Sequence, residues 1–111
     1  MGVRIHRVIV RGRFQGLDDA TRAVLQDEAD EHDYLHAAFT RDGTLVYDAA
    51  IDFFSLRYEL RTDDEVDGRG PGDVAVLAEA LATADLAERG LGYGPLRITS
   101  TDMADMWSGR R

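Results

Sequence analysis

Between Arg4 and Phe14 the chain alternates, with His6, Val8, Val10, Gly12 and Phe14 on one side and Ile5, Arg7, Ile9, Arg11 and Arg13 on the other. A repeat of two is that of a β-strand, whose successive side chains project to opposite faces. Phe53 to Arg61 repeats it: Phe54, Leu56, Tyr58 and Leu60 face a core, while Phe53, Ser55, Arg57, Glu59 and Arg61 face away. Leu35–Thr40 and Thr44–Tyr47 read as extended segments joined at Asp42-Gly43, a dipeptide that supplies the positive φ of a tight hairpin. Leu96–Met103 reads as the last strand.

Two stretches change period. Asp18 stands where an N-cap belongs, and the helix behind it carries Val24, Leu25 and Ala29 inward to about His32, leaving Asp27, Glu28, Asp30 and Glu31 as an acidic side. Asp73 caps a second, alanine-rich helix that runs to about Arg89 and stops at Gly90. Its apolar positions form two stripes, Val74-Leu77-Leu81-Ala84 and Val76-Ala80-Ala87, and the second is surplus to one buried face. Between the third strand and this helix, residues 62–72 hold four acids, three glycines and a proline, the composition of a loop. The order β-α-β-β-α-β predicts one domain over residues 1–111, an α+β ferredoxin-like βαββαβ sandwich. Its antiparallel sheet would carry two helices on one face, with spatial strand order β4-β1-β3-β2.

Composition narrows the chemistry. A formal charge of −8 repels nucleic acid and anionic membrane surfaces. There is no cysteine, hence no thiolate nucleophile, disulfide or Cys-bound zinc. All 13 basic residues are arginine, so side-chain Schiff bases and P-loop lysines are absent. No apolar run approaches the roughly 20 residues needed to span a bilayer. The expectation is a cytoplasmic protein without metal or other cofactor.

Alternation and topology together locate two candidate regions. The helix-free face collects Ile5, Arg7, Ile9, Arg11, Phe53, Ser55, Arg57, Glu59, Arg97, Thr99 and Thr101. Four arginines on a half-apolar surface suit an anionic or aromatic small molecule, for which Arg57, Arg97 and Phe53 are the candidate binding residues. The same face also suits a homodimer contact with arginine paired to Glu59. The second region is the pole where the first strand begins, to which topology assigns His6, His32, His36, Asp33, Tyr34, Tyr58 and Asp102. Histidine beside carboxylates is the natural proton carrier near neutral pH. The candidate catalytic residues are therefore His6 or His32 as acid or base, Asp102 to orient it, and Tyr58 as a hydrogen-bond donor.

Two resemblances bear on these residues. Val10-Arg11-Gly12-Arg13-Phe14-Gln15-Gly16-Leu17 and Thr40-Arg41-Asp42-Gly43 resemble the phosphate-cradling loop and following hairpin of acylphosphatases. That likeness implies a phosphate site, but Ala20 stands where the family has its phosphate-binding arginine, and Thr40 where it has a water-orienting asparagine. More broadly, Glu28–Asp33, Ala37–Thr40, Gly43–Leu45, Tyr47-Asp48, Asp52–Phe54 and Thr101–Met103 are similar to a family of short uncharacterised proteins from high-GC bacteria, a kinship that implies no activity. The size and element order are also those of dimeric α/β-barrel proteins. By that analogy the chain is a small-molecule-binding protein or a cofactor-independent enzyme of the proton-transfer, isomerase/cyclase or monooxygenase kind. The alternative is a non-catalytic dimeric interaction or ligand-sensing module.

Overall fold

The alternating stretches form strands where they are expected, in the order β1 (Val3–Arg13), α1 (Asp19–Asp27), a 3-10 turn (Ala29–His32), β2 (Thr44–Tyr47), β3 (Phe53–Asp63), α2 (Pro71–Arg89) and β4 (Arg97–Asp102). A computed structural model describes residues 3–33, 38–63 and 71–103, with side chains over 5–33, 38–61 and 74–103. The four strands make one open antiparallel sheet in the order β2-β3-β1-β4. Its register sets Val8 opposite Tyr58 and Val10 opposite Leu56, with Leu45 beside Leu56 and Tyr47 beside Phe54. These side chains form one buried cluster with Leu25 of α1 and Val74, Ala78, Ala82 and Leu86 of α2. Helices α1 and α2 thus pack on one face of the sheet, and the opposite face carries Arg7, Ile9, Thr99 and Thr101, beside which Met103 is buried.

Local chemistry sets the helix ends. Asp18 accepts the Thr21 N–H at 2.7 Å, and those hydrogen bonds hold its carboxyl below the usual carboxylate range. Pro71 opens α2, a position where a missing N–H costs nothing. At the other end Gly90, at φ 72°, donates to Ala87 O, and Leu91 donates to Leu86 O. This is a Schellman stop, closed by the buried contact of Leu86 with Leu91.

Three expectations are corrected. The order is not a bare βαββαβ: a 3-10 turn intervenes before β2, and the extended segment before Asp42 is reduced, among the described residues, to a parallel bridge from Thr40 to Tyr58. Thr40 O accepts from Glu59 N at 2.8 Å and Thr40 Oγ1 from Gly43 N at 3.0 Å, so this stretch attaches to β3 rather than folding back on β2. The inward stripe of α2 is Val74-Ala78-Ala82-Leu86, whereas Leu81 and Ala84 face solvent. Alanine at 78 and 82 lets the helix approach the large residues of β3 closely. Val24, expected inward, is 53% exposed, because Leu25 occupies the buried position on α1. His36, Tyr34 and most of the 62–72 segment lie outside the described residues.

Candidate functional site

On the face opposite α1 and α2 the register lines side chains into rows. Val46, Ser55, Arg11 and Arg97 share one row across β2, β3, β1 and β4, and Thr44, Arg57, Ile9 and Thr99 share the next. Glu59, Arg7 and Thr101 follow on one side, and Phe53 faces Arg13 on the other. Arg7, Arg11, Arg13, Arg57, Arg61 and Arg97 therefore project there, with Glu59 as the acid among the described side chains. A chain of net charge −8 thus carries a locally basic surface.

How these cations are held decides what they offer. Glu59 sits 3.6 Å from Arg7 in a half-exposed ion pair. The Arg57 guanidinium lies over the Phe39 ring at 5.6 Å, with Arg7 at 5.1 Å from the same ring. Arg13 lies over Phe53 at 5.4 Å. Such stacking fixes the guanidinium plane, and the Nε of Arg57 is buried. Arg11 and Arg97 are exposed, directly opposite each other, and form no ion pair among the described residues. Like charges in that position repel.

Two cavities open between these side chains. One, of about 240 Å³, is lined by Arg11, Gly12, Val46, Phe53, Phe54, Ser55 and Arg57. The other, of about 270 Å³, is lined by Arg11, Gly12, Arg13, Phe53, Pro95 and Arg97. Each is smaller than a typical ligand site, roughly 300 Å³ upward, and both have Arg11, Gly12 and Phe53 in their walls. Local hydrogen bonds build their walls. Asp48 Oδ1 accepts from Asp52 N at 2.9 Å and Phe53 N at 3.2 Å, while buried Ile51 turns the chain at φ 59°, so Phe53 enters β3 from a fixed direction. Gly94 N donates to Arg13 O at 3.0 Å, which fastens the segment before Pro95 and Arg97 to the end of β1. A third cavity of about 210 Å³ lies between Phe39, Arg7, Ile9, Thr99, Thr101 and Met103.

The expected binding residues Arg57, Arg97 and Phe53 thus share this face, whereas the expected catalytic residues divide. His6 is 2% exposed on the core side of β1, opposite Asp102 on β4, and Tyr58 lies on the same side one step along β3. None of the cavities described here is lined by His6, Tyr58 or Asp102. His32 does not join them: its Nδ1 donates to Leu45 O at 2.9 Å and its ring stacks on Tyr47 at 5.2 Å. Through the register, Leu45 is two strands over and four residues along from His6, roughly 10 Å across the sheet and about 13 Å along it. His32 instead lines a cavity of about 190 Å³ with Thr21, Glu28 and Arg89. No group of three or more His, Cys, Asp or Glu able to hold a metal gathers among the described residues.

Tyr58 behaves as a core residue. It is fully buried, its hydroxyl has no hydrogen-bond partner among the described residues, and burial, helped by the Asp85 carboxylate, pushes its pKa up to about 12. Tyr47, whose hydroxyl donates to Leu25 O at 2.7 Å, is pushed to about 12 mainly by burial and then by Glu28. An unfolded phenol titrates near about 10, so the unfolded chain loses these protons first and stability falls as pH rises from 10 towards 12. Tyr58→Phe removes an unsatisfied buried hydroxyl. The variant should match the wild type at pH 7 or exceed it by up to about 2 kcal/mol, and its alkaline decline should be shallower. Urea unfolding at pH 7 and pH 11 measures both.

Arg11 is one of the four arginines that alternation assigns to this face and Arg13 is a further outward position of β1, but neither is among the binding residues expected from sequence, and β4 brings Arg97 alongside Arg11. Phe39 had no local signal, because it reaches the face through the Thr40–Tyr58 bridge. Among the described residues no helix is long and apolar enough to cross a membrane. No curated protein and no solved structure matches the chain significantly. The match of residues 1–111 to the model of a Family of unknown function (DUF6204) shows that the chain belongs to that family.

Proposed function

We propose that this chain binds a small anionic molecule with an apolar or aromatic body on the face of its sheet opposite α1 and α2. The observation that carries the reading is the register of Arg11 with Arg97: two exposed cations directly opposite each other that form no ion pair among the described residues. A bound carboxylate supplies the missing counter-charge and accepts N–H bonds from both forks. Phe53, 57% exposed, offers a ring for the ligand's body.

Within this reading the domain is a variant of the ferredoxin-like βαββαβ type that works in the cytoplasm as a homodimer and is akin to the short proteins of high-GC bacteria. Val24 at 53% and Val76 at 66% exposure support pairing with a second copy. A second reading, a cofactor-independent enzyme moving protons, is supported by His6 standing opposite Asp102. It needs a route from solvent to His6, and the burial of that residue favours the binding reading.

Calorimetric titration of benzoate tests the proposal. The wild type should bind it, and Arg11→Gln should weaken binding by at least about tenfold, the effect of losing a charge-assisted hydrogen bond. Equal affinities in the two proteins, or no binding by either, would refute it.

A further inference from the structure

We infer that the cavity lined by His32 and Glu28 is a second binding site, independent of the arginine face, which takes a small aliphatic amine in its protonated form. Its volume is about 190 Å³, and α1, the 3-10 turn, β2 and the last residue of α2 all contribute to its wall. The imidazole gives the cavity its chemistry. Leu45 O can only accept, so its 2.9 Å contact with His32 Nδ1 places the proton of the neutral ring on that nitrogen. Nε2 is then an acceptor, and it has no hydrogen-bond partner among the described residues. Stacking on Tyr47, at 5.2 Å with 25° between the planes, holds the ring's orientation as well. An acceptor fixed in tautomer and direction suits a ligand that brings N–H donors.

Charge decides which donor. Glu28, the C-cap of α1, is exposed and forms no ion pair among the described residues. Arg89 also lines the cavity, but its Nε lies 3.1 Å from Asp85 Oδ2, so its charge is already answered on its own helix. The uncompensated charge in the wall is therefore a single carboxylate, which favours a cation. An ammonium group carries three N–H donors, enough to serve the Glu28 carboxylate and His32 Nε2 together. The apolar part of the wall includes Leu25, Leu45 and Leu91, all buried, against which a short branched hydrocarbon tail packs.

The test titrates the isotope-labelled whole chain with 3-methylbutylamine and, separately, with 3-methylbutanol and 3-methylbutanoate, which share its carbon tail. The pH is set where the ring nitrogen resonances of His32 show one proton, on Nδ1. Additions to about 10 mM suffice, because a ligand of this size supports an affinity of about 1 mM. The amine should move the His32 Nε2 resonance and the amides of Thr21, Glu28, His32 and Leu91. The alcohol should bind about fivefold more weakly for want of a charge, and the carboxylate should not bind there. Glu28→Gln should weaken the amine about fivefold and leave the alcohol unchanged. His32→Asn keeps an N–H donor near the place of Nδ1 and removes the Nε2 acceptor, so it should weaken amine and alcohol alike by about fivefold. Circular dichroism verifies that both variants are folded, and the Glu28 side chain forms no hydrogen bond among the described residues that its replacement would break. Equal binding of amine and alcohol would overturn the ammonium assignment, and so would preference for the carboxylate, which would give the site to Arg89. Shifts centred elsewhere, or none, would overturn the site itself. Benzoate reports on the arginine face alone, so failure of that reading and failure of this one are distinguishable.

Discussion

Replacing Gly43 by valine is expected to lower the stability of this chain by about 3–5 kcal/mol, the sum of a backbone penalty and an overpacked ring. Gly43 sits at φ 94°, a conformation that side-chain-bearing residues rarely adopt. A Cβ there would also fall onto the Tyr58 ring, against Cε1 and 2.8 Å from Cζ. Tyr58 cannot move away easily, because it is fully buried in the cluster that joins sheet and helices. The loss is a large fraction of a domain's total stability, and thermal unfolding should shift down by roughly 10–20 °C. A Gly43→Val protein that melts with the wild type would mean that the Thr40–Thr44 turn is not seated on Tyr58.

Arg97→Glu is expected to separate stability from binding. The substitution replaces a like-charge contact with Arg11 by an opposite-charge pair in direct register, and so should stabilise the fold by about 0.5 kcal/mol at low ionic strength. At 1 M salt, where the screening length is about 3 Å, that gain should vanish. Carboxylate binding should fall by about 100-fold or more, since a cationic donor is lost and a carboxylate now faces the ligand. Native proteins tolerate this kind of local conflict at functional positions. Urea unfolding at two salt concentrations, together with benzoate titration, measures both effects. If the variant is no more stable and binds as before, Arg11 and Arg97 do not share a site.

The strands and their faces were legible because alternation is a local property. His6, Val8 and Val10 on one side of β1 and Arg7, Ile9 and Arg11 on the other follow from a period of two alone. The arginine face was legible for the same reason, once the strand order placed β4 beside β1. Helix phase was less so. In α2 alanines fill both the buried positions 78 and 82 and the exposed positions 80, 84 and 87, so apolarity does not distinguish the two sides. What remained hidden depends on contacts between distant residues: the Thr40–Tyr58 bridge, the reach of Phe39 over Arg7 and Arg57, and the bond of His32 to Leu45 O. That last bond explains why His32 does not join His6 at the pole of the sheet. The 3-10 turn after α1 places His32 over β2, an edge strand, whereas His6 lies on central β1.

The most direct test of the account is to map where an aromatic carboxylate lands, by following backbone amide resonances of the isotope-labelled protein during benzoate titration. The amides that shift most should be those of Arg11, Gly12, Phe53, Ser55, Arg57 and Arg97, residues that line the two cavities of this face. Shifts centred instead on Thr21, Glu28, His32 and Leu91, or on His6 and Asp102, would show that the ligand site is elsewhere and that the arginine face is only a solvated surface.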